Sequence, residues 1–410
     1  MTGEFSKRFK ILSLDGGGIR GVISAQILQE VEKQIKEIKN QSLHEYFDMI
    51  TGTSTGSILA AGIAMGKSSS DLIKLYDKWG MKIFPYQKLL TWERLPLILK
   101  YGLSAPKFSN DGLIEALKEE LTDKDKKEVP IKDIGTPTQI PNARKPTLLI
   151  PAYDTWYRNT TFFTNSHPKT FADPPDNHSE TWGQRWYDDT PLWKICVSSS
   201  SAPTFFPGYE LTDETEVTSK NQWRFPHVDG GVSANNPSLC AISHAINHNL
   251  SKFEDIAVLS IGTGETTEPY STKDIEGWGL TEWARRIAPV FMGGQGAVNS
   301  QVCEQLLGGL EGKRYLRLEF ELNEKFNRKD VKDSEAPYEL LKKNERKNEF
   351  TGEHVSEAID DARRENIAQL KKTAQAFLEE KEGCCYRTRN QKGIPVKEAI
   401  RDFISNNSGY

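Results

Sequence analysis

Cysteine is scarce in this chain, and long apolar runs and an excess of positive charge are missing. The five cysteines among 410 residues (Cys196, Cys240, Cys303, Cys384 and Cys385) are an odd set without metal-type spacing. They exclude a disulfide framework and a zinc ribbon, and read as reduced thiols in a reducing compartment. The adjacent Cys384 and Cys385 read as a plain pair of thiols. No window is long and apolar enough to span a bilayer, and the opening "MTGEFSKRFK" holds no apolar signal core, so a cytoplasmic protein is expected. Lys and Arg number 53 against 57 Asp and Glu, a net charge of -4. That balance excludes a protein whose affinity comes from nucleic-acid phosphates, and it provides no general attraction to anionic membranes. Internal repeats and low-complexity tracts are absent as well.

What is present is an alternation of strand and helix patterns. "KILSL" (Lys10 to Leu14) reads as a buried strand. After a glycine-rich loop, Val22, Ile23, Ile27, Leu28, Val31, Ile35 and Ile38 recur at helical spacing. "YFDMI" (Tyr46 to Ile50) reads as a second strand, "GTSTG" as a tight turn and "SILAAGIAM" as the start of another helix. "PTLLIPAYD", "FPHVDGG" and "IAVLSIGTG" are further strands running into turns. This order predicts an α/β fold, a mainly parallel sheet covered by helices on both faces, with its site at the strand ends near Asp15, Gly52, Asp229 and Gly262. Past Asn323 the composition turns to Lys, Glu, Arg and Asn. We therefore expect a catalytic domain over residues 1–320 and a charged, mainly helical extension over 321–410. In the latter, Val355, Ile359, Ala362, Leu370, Ala374 and Phe377 mark one face of a long amphipathic helix that docks on its own domain.

Two segments carry chemistry. "GTSTG", Gly52 to Gly56, is a G-x-S-x-G with an apolar strand before it and an apolar helix after it, the setting of a nucleophile elbow centred on Ser54. Gly52 and Gly56 leave room for a strained turn, and the helix N-terminus brings positive partial charge to the serine. The competing reading is a Ser/Thr helix cap. Ser54 needs a base, yet none of the seven histidines (His44, His167, His178, His227, His244, His248, His354) sits in a strand-end turn after a suitable carboxylate. His244 and His248 lack the H-E-x-x-H glutamate of a zinc pair, so no metal or other cofactor is expected. His227 lies two residues before Asp229 and reads as a polar neighbour. Asp229 ends a strand and is followed by Gly230 and Gly231, which makes it the leading base. A carboxylate with an ordinary pKa of about 3.9 is weak for this task, so strong oxyanion stabilisation is required.

"DGGGIRG", Asp15 to Gly21, contains G-x-G-x-x-G. Its backbone amides suit a phosphate or a tetrahedral oxyanion equally. A dinucleotide site needs an acid ending the second strand to hold the ribose, and here that strand leads into the serine elbow instead. The ordered set "DGGGIRG", "GTSTG" and "DGG" resembles the patatin-like phospholipases. "YFDMITGTSTGS", "SAPTFFP", "HVDGGVSANNP", "LSIGTG", "GWGLTEWARRI" and "RYLRLEF" extend the resemblance over roughly Phe9 to Phe320. It implies a three-layer α/β/α sandwich and a lipid acyl hydrolase of phospholipase A, lysophospholipase or galactolipase type. It also implies a Ser54/Asp229 dyad, oxyanion amides from Gly16, Gly17 and Gly18 with Arg20 fixing that loop, and no need for calcium. Ser57 departs from the glycine that many relatives carry after the elbow.

The implied partner is a polar lipid met through transient membrane contact, and "IFPYQKLLTWERLPLILKYGLSAPKF" (Ile83 to Phe108) has the composition of an interfacial segment, or of a partly buried insertion. The aromatic cluster "YDTWYRNTTFF" (Tyr153 to Phe163) lines either the core or an acyl channel. Some bacterial relatives respond to cyclic nucleotides, but no motif here assigns that property. The alternatives are a nucleotide-binding or nucleotide-gated protein using the glycine loop, and an idle scaffold. Neither the oligomeric state nor the lipid head group is legible.

Overall fold

A computed structural model describes residues 8–88, 91–102, 104–135, 146–166, 185–213, 223–270, 272–308, 313–325, 346–381 and 394–407. The adjacent thiols Cys384 and Cys385 lie outside these residues.

An 8-stranded sheet forms the middle layer. Its strands are β1 (Phe9–Leu14), β2 (Met49–Gly52), β3 (Thr147–Asp154), β4 (Asn159–Thr164), β5 (Tyr209–Thr212), β6 (Arg224–Asp229), β7 (Ile256–Ile261) and β8 (Tyr315–Leu318). Consecutive strand residues point to opposite faces, and here both faces are apolar. Leu12, Leu14, Ile50, Leu148, Leu259 and Leu316 enter the larger core, while Ile11, Met49, Leu149, Val258 and Tyr315 enter a second one. Helices cover both, giving three α/β/α layers as expected. α1 (Gly21–Lys39), α2 (Thr55–Ala64), α3 (Ser69–Ile83), α4 (Leu192–Ser200), α7 (Arg364–Leu378) and α8 (Val396–Asn406) supply apolar side chains to the larger core. α5 (Ser238–Asn247) and the C-terminal end of α6 (Leu280–Cys303) close the smaller one.

Register brings the loops together. Leu14 pairs with Gly52 on one side and with Ile261 on the other, all parallel, so the chain leaves β1, β2 and β7 at one level. β3 is longer than β2. Beyond the end of β2, the same edge of β3 is taken by β6 running antiparallel, with Ala152 opposite Asp229, while β4 occupies the other edge. The C-terminal ends of β2 and β6 therefore meet head to head. The sheet is mixed rather than uniformly parallel at this point, and that is what carries Asp229 back toward the elbow.

Two local expectations shift. The second strand starts at Met49, since Leu43–Tyr46 is a short helix held by a capping box between Ser42 and Glu45. The C-terminal helix begins at Arg364, not near Val355. Val355 and Ala362 are fully buried in irregular chain whose backbone groups bond across rather than along. The Val355 N–H and carbonyl both pair with the Asn323 side chain at 2.9 Å, and the Ile359 carbonyl accepts the Ile19 N–H at 2.8 Å. Periodicity alone cannot separate such a buried strap from a helix face.

The composition changes near Asn323, yet α7 and α8 pack on α1 and share the larger core. Phe377 meets Phe320 in a tilted contact at 4.8 Å between centroids and Phe350 at 5.7 Å. Phe377→Ala is expected to lower stability by about 3–5 kcal/mol in one cooperative urea transition that also reports on the β-sheet; a separate early transition of the C-terminal helices would contradict a shared core.

Candidate active site

Ser54 sits between β2 and α2 with φ 53°, ψ -124°, a positive φ that a side-chain-bearing residue adopts only under constraint. The constraint is visible. A Cβ on Gly52 would strike the Gly56 carbonyl, and one on Gly56 would strike the Leu14 carbonyl. The Ser54 N–H donates to Ser199 Oγ at 3.0 Å, and Ser199 Oγ donates in turn to the Pro151 carbonyl at 2.7 Å. The Ser57 hydroxyl bonds the Ser54 carbonyl at 2.6 Å, so the residue that departs from glycine serves the turn.

The same serine run holds the partner strand: the Asp229 N–H donates to the Ser201 carbonyl at 3.0 Å, and the Gly230 N–H to the Ser199 carbonyl at 3.2 Å. Asp229 is 1% exposed. Its Oδ1 accepts the Gly231 N–H at 2.7 Å, and its Oδ2 has no partner in hydrogen-bonding geometry. Burial pushes this carboxyl up to about 7; the nearby Ser54 hydroxyl and the Gly231 N–H offset only part of the effect. The structure thus holds near Ser54 a desolvated carboxyl whose second oxygen is unspent.

The glycine loop divides its amides. The Gly16 N–H is spent on the Asn235 carbonyl at 3.1 Å, whereas those of Gly17 and Gly18 have no acceptor among the described residues. Gly18 has φ +58°, and a Cβ there would collide with the Ile359 carbonyl, so the buried strap closes over the loop. Arg20 is buried, and burial pulls its pKa below the usual arginine value against the opposing pull of Glu319 and Glu357. Its Nη1 donates to the Glu357 carbonyl at 3.3 Å, which ties the loop to the strap.

None of the described histidines is hydrogen-bonded to Ser54 or Asp229. His227 Nδ1 is 2.8 Å from the Phe225 carbonyl and Nε2 is 3.0 Å from Thr161 Oγ1, and burial holds its pKa down. His244 and His248 stack on each other, His44 contacts Ser42, and His354 faces the Arg346 carbonyl. His167 and His178 lie outside the described residues. Among the described residues no group of three His, Cys, Asp or Glu is placed to hold a metal.

Two spaces meet at Gly17, Phe205, Met292 and Ile359. One is a narrow apolar channel of ≈ 50 Å³ leading from Ser54 and Asp229 past Ile58, Leu75, Ile83, Phe84 and Phe206. With a water occupying roughly 30 Å³ of liquid volume, an alkyl chain enters only by parting these side chains. The other is an open cleft of ≈ 1520 Å³ beside the glycine loop. The Tyr153–Phe163 cluster reaches neither: Phe163 is buried against Trp186 and Tyr187, and Trp156 and Tyr157 face solvent. Of the Ile83–Phe108 segment, Ile83 and Phe84 line the channel, while the helix Leu95–Tyr101 has no buried residue and Trp92 is 88% exposed.

The family model for patatin-like phospholipases matches residues 12–242. The chain belongs to that family. It is 32% identical over 296 residues to patatin-like protein 1 of Arabidopsis thaliana, covering 67% of this chain and 63% of that protein. It is 29% identical over 311 residues to patatin-like protein 3 of the same plant, covering 68% and 65%. This patatin-like chain thus spans just under two thirds of the length of those relatives. VipD from Legionella pneumophila aligns over 90% of this chain and 67% of its own, at 10% identity and TM-score 0.34; the architecture rests on the strand order itself.

Sequence reasoning passed over two supports of this patatin-like site. Ser199 lies in "SSSS", a run of hydroxyls ending a buried helix, whose signal was the absence of solvent-facing residues around it. Arg317 lies within "RYLRLEF", where charges alternate with apolar residues in a buried strand. Arg317 binds Asp15 through both carboxylate oxygens (2.9 and 2.6 Å), Ser260 Oγ at 2.7 Å and Glu319 at 2.8 Å. Glu319 accepts the Gly264 N–H at 2.7 Å, and Thr263 Oγ1 donates to the Gly16 carbonyl at 3.1 Å. Burial alone would push Arg317 down, but Asp15 and Glu319 hold it charged. Burial pushes Glu319 up to about 7, since one guanidinium cannot fully neutralise two buried carboxylates. Arg317→Met leaves both carboxylates uncompensated and is expected to cost about 3–5 kcal/mol. Urea unfolding at neutral pH measures this, and the deficit should shrink as acid protonates Glu319 and Asp15.

Proposed function

We propose that the protein hydrolyses fatty-acyl esters of polar lipids through an acyl-Ser54 intermediate, with Asp229 as its base. The observation that carries this reading is a strained, buried Ser54 facing a buried carboxylate whose pKa stands at about 7, beside two unpaired glycine amides. Asp229 takes the Ser54 proton as Oγ bonds the ester carbonyl carbon. The carbonyl oxygen becomes an oxyanion held by the N–H groups of Gly17 and Gly18. Collapse breaks the bond to the alkoxy oxygen, which leaves with the proton from Asp229. Water then gives a proton to Asp229 and attacks the acyl-serine, and Ser54 regains its proton as the fatty acid departs. No histidine is required, because desolvation has already raised the carboxylate into the range of an effective base. The apolar channel suits the acyl chain, and the open cleft suits the glycerol and head group.

Ser54→Ala is expected to abolish release of fatty acid, and Asp229→Asn to lower kcat by about 100- to 10,000-fold with the fold intact. Mass spectrometry of fatty acid released from phospholipids, lysolipids and galactolipids measures both and identifies the head group. Full activity in either variant refutes the dyad. Because the base works only when ionised, kcat/KM is expected to fall tenfold per pH unit below about 7 and to level above it. A flat profile between pH 5 and 8, taken as a window around that value, assigns the proton transfer elsewhere.

A further inference from the structure

Helix α6 turns a stripe of apolar residues outward. Leu280 is 94% exposed, Phe291 63% and Val298 58%, and Trp283 and Val290 are also exposed. Their spacings of three, seven and eight place them on one stripe roughly 100° wide. The flank beside this stripe is held by polar contacts. The Asn235 N–H donates to Gln295 Oε1 at 3.0 Å, Gln295 Nε2 donates to the Ser233 carbonyl, and Asn299 Nδ2 to the Asn236 carbonyl at 3.0 Å. A surface helix of a globular protein ordinarily shows the reverse arrangement, apolar inward and polar outward. Here the helix is fixed to the loop after Asp229 and buries Cys303, yet turns this apolar stripe to the outside.

Two further observations say what covers that side. The N-terminal end of α6 joins an aromatic cluster in which Tyr270 and Trp278 lie 4.7 Å apart, Trp278 and Trp283 lie 5.1 Å apart, and the Arg286 guanidinium sits 4.7 Å over Trp278. Rings with polar edges beside a cation suit the boundary between lipid head groups and acyl chains. The stripe is also continuous with the reaction site: Phe291 lines the cleft, and the next residue, Met292, lines both cleft and channel together with Gly17. An ester substrate drawn from a bilayer brings an apolar chain that gains nothing by crossing water, and a docked α6 gives it a covered route to Ser54.

We propose that the exposed stripe of α6 is a bilayer-docking surface that seats in the head-group and acyl boundary with the mouth of the cleft against the lipid. This rests on the acyl-hydrolase reading above. The test uses the full chain carrying Leu280→Glu and Val298→Glu together, since both side chains are exposed and neither lines the cleft or channel. Sedimentation with phosphatidylcholine vesicles measures docking, and hydrolysis of a soluble p-nitrophenyl butyrate monomer measures the chemistry. We expect vesicle partitioning to fall at least tenfold with soluble-ester hydrolysis unchanged, and Leu99→Glu, in a separate helix with exposed apolar residues, to change neither. Unaltered partitioning of the double variant, partitioning lost with Leu99→Glu instead, or a wild type that does not sediment overturns the proposal. A wild-type dimer that the double variant dissociates also overturns it, by assigning the stripe to a second copy. A wild type that docks but hydrolyses neither lipid nor soluble ester ends the acyl-hydrolase reading while leaving the docking result standing.

Discussion

The site depends on one edge of β3. That strand outruns β2, and the vacant part of its edge is filled by β6 from the opposite direction, so the strand delivering Ser54 and the strand delivering Asp229 end against each other. Two chain ends meeting in a sheet leave little room and several unspent backbone groups. The serine run at the end of α4 meets both demands, with Ser199 bonding the Ser54 N–H and the Gly230 N–H, and Ser201 taking that of Asp229. The positive φ of Ser54 is held by these bonds and by the close approach of the Leu14 carbonyl to Gly56, which is how a locally unfavourable conformation persists.

Burial then sets the chemistry. Asp229 has no cationic partner among the described residues, so desolvation outweighs the Ser54 hydroxyl and the Gly231 N–H and raises its pKa to about 7. Asp15 is also buried, and burial raises its pKa as well, but Arg317 grips both its oxygens, opposes that shift and ties the carboxylate to the root of the glycine loop. Two aspartates at strand ends thus differ by the presence of one guanidinium. His227 lies two residues from Asp229, yet both its ring nitrogens face other groups, the Phe225 carbonyl and Thr161.

The glycine loop is enclosed by chain from far away in sequence. The strap before α7 places the Ile359 carbonyl on the Ile19 N–H and against Gly18, and the Glu357 carbonyl on Arg20. The segment after Asn323, whose composition looks like that of an appendage, therefore contributes to the shape of the site as well as to the larger core.

Much of this was legible in the sequence because it depends on neighbours along the chain. Alternating strand and helix periods implied the layers, and G-x-S-x-G between a strand and a helix implied the elbow. An aspartate before two glycines implied a turn with a carboxylate at its tip. Each is local backbone chemistry, written in contiguous residues. What tertiary structure alone decided is which groups are already spoken for. Gly16, Gly17 and Gly18 look alike in sequence, but the Asn235 carbonyl takes the first amide and leaves the other two. Val355 and Ile359 have helix-like spacing, but Asn323 and Ile19 claim their backbone groups. Ser199 and Arg317 are unremarkable letters until folding buries them beside Ser54 and Asp15. Hydrogen-bond partners and burial come from residues distant in the chain, and no local pattern encodes them.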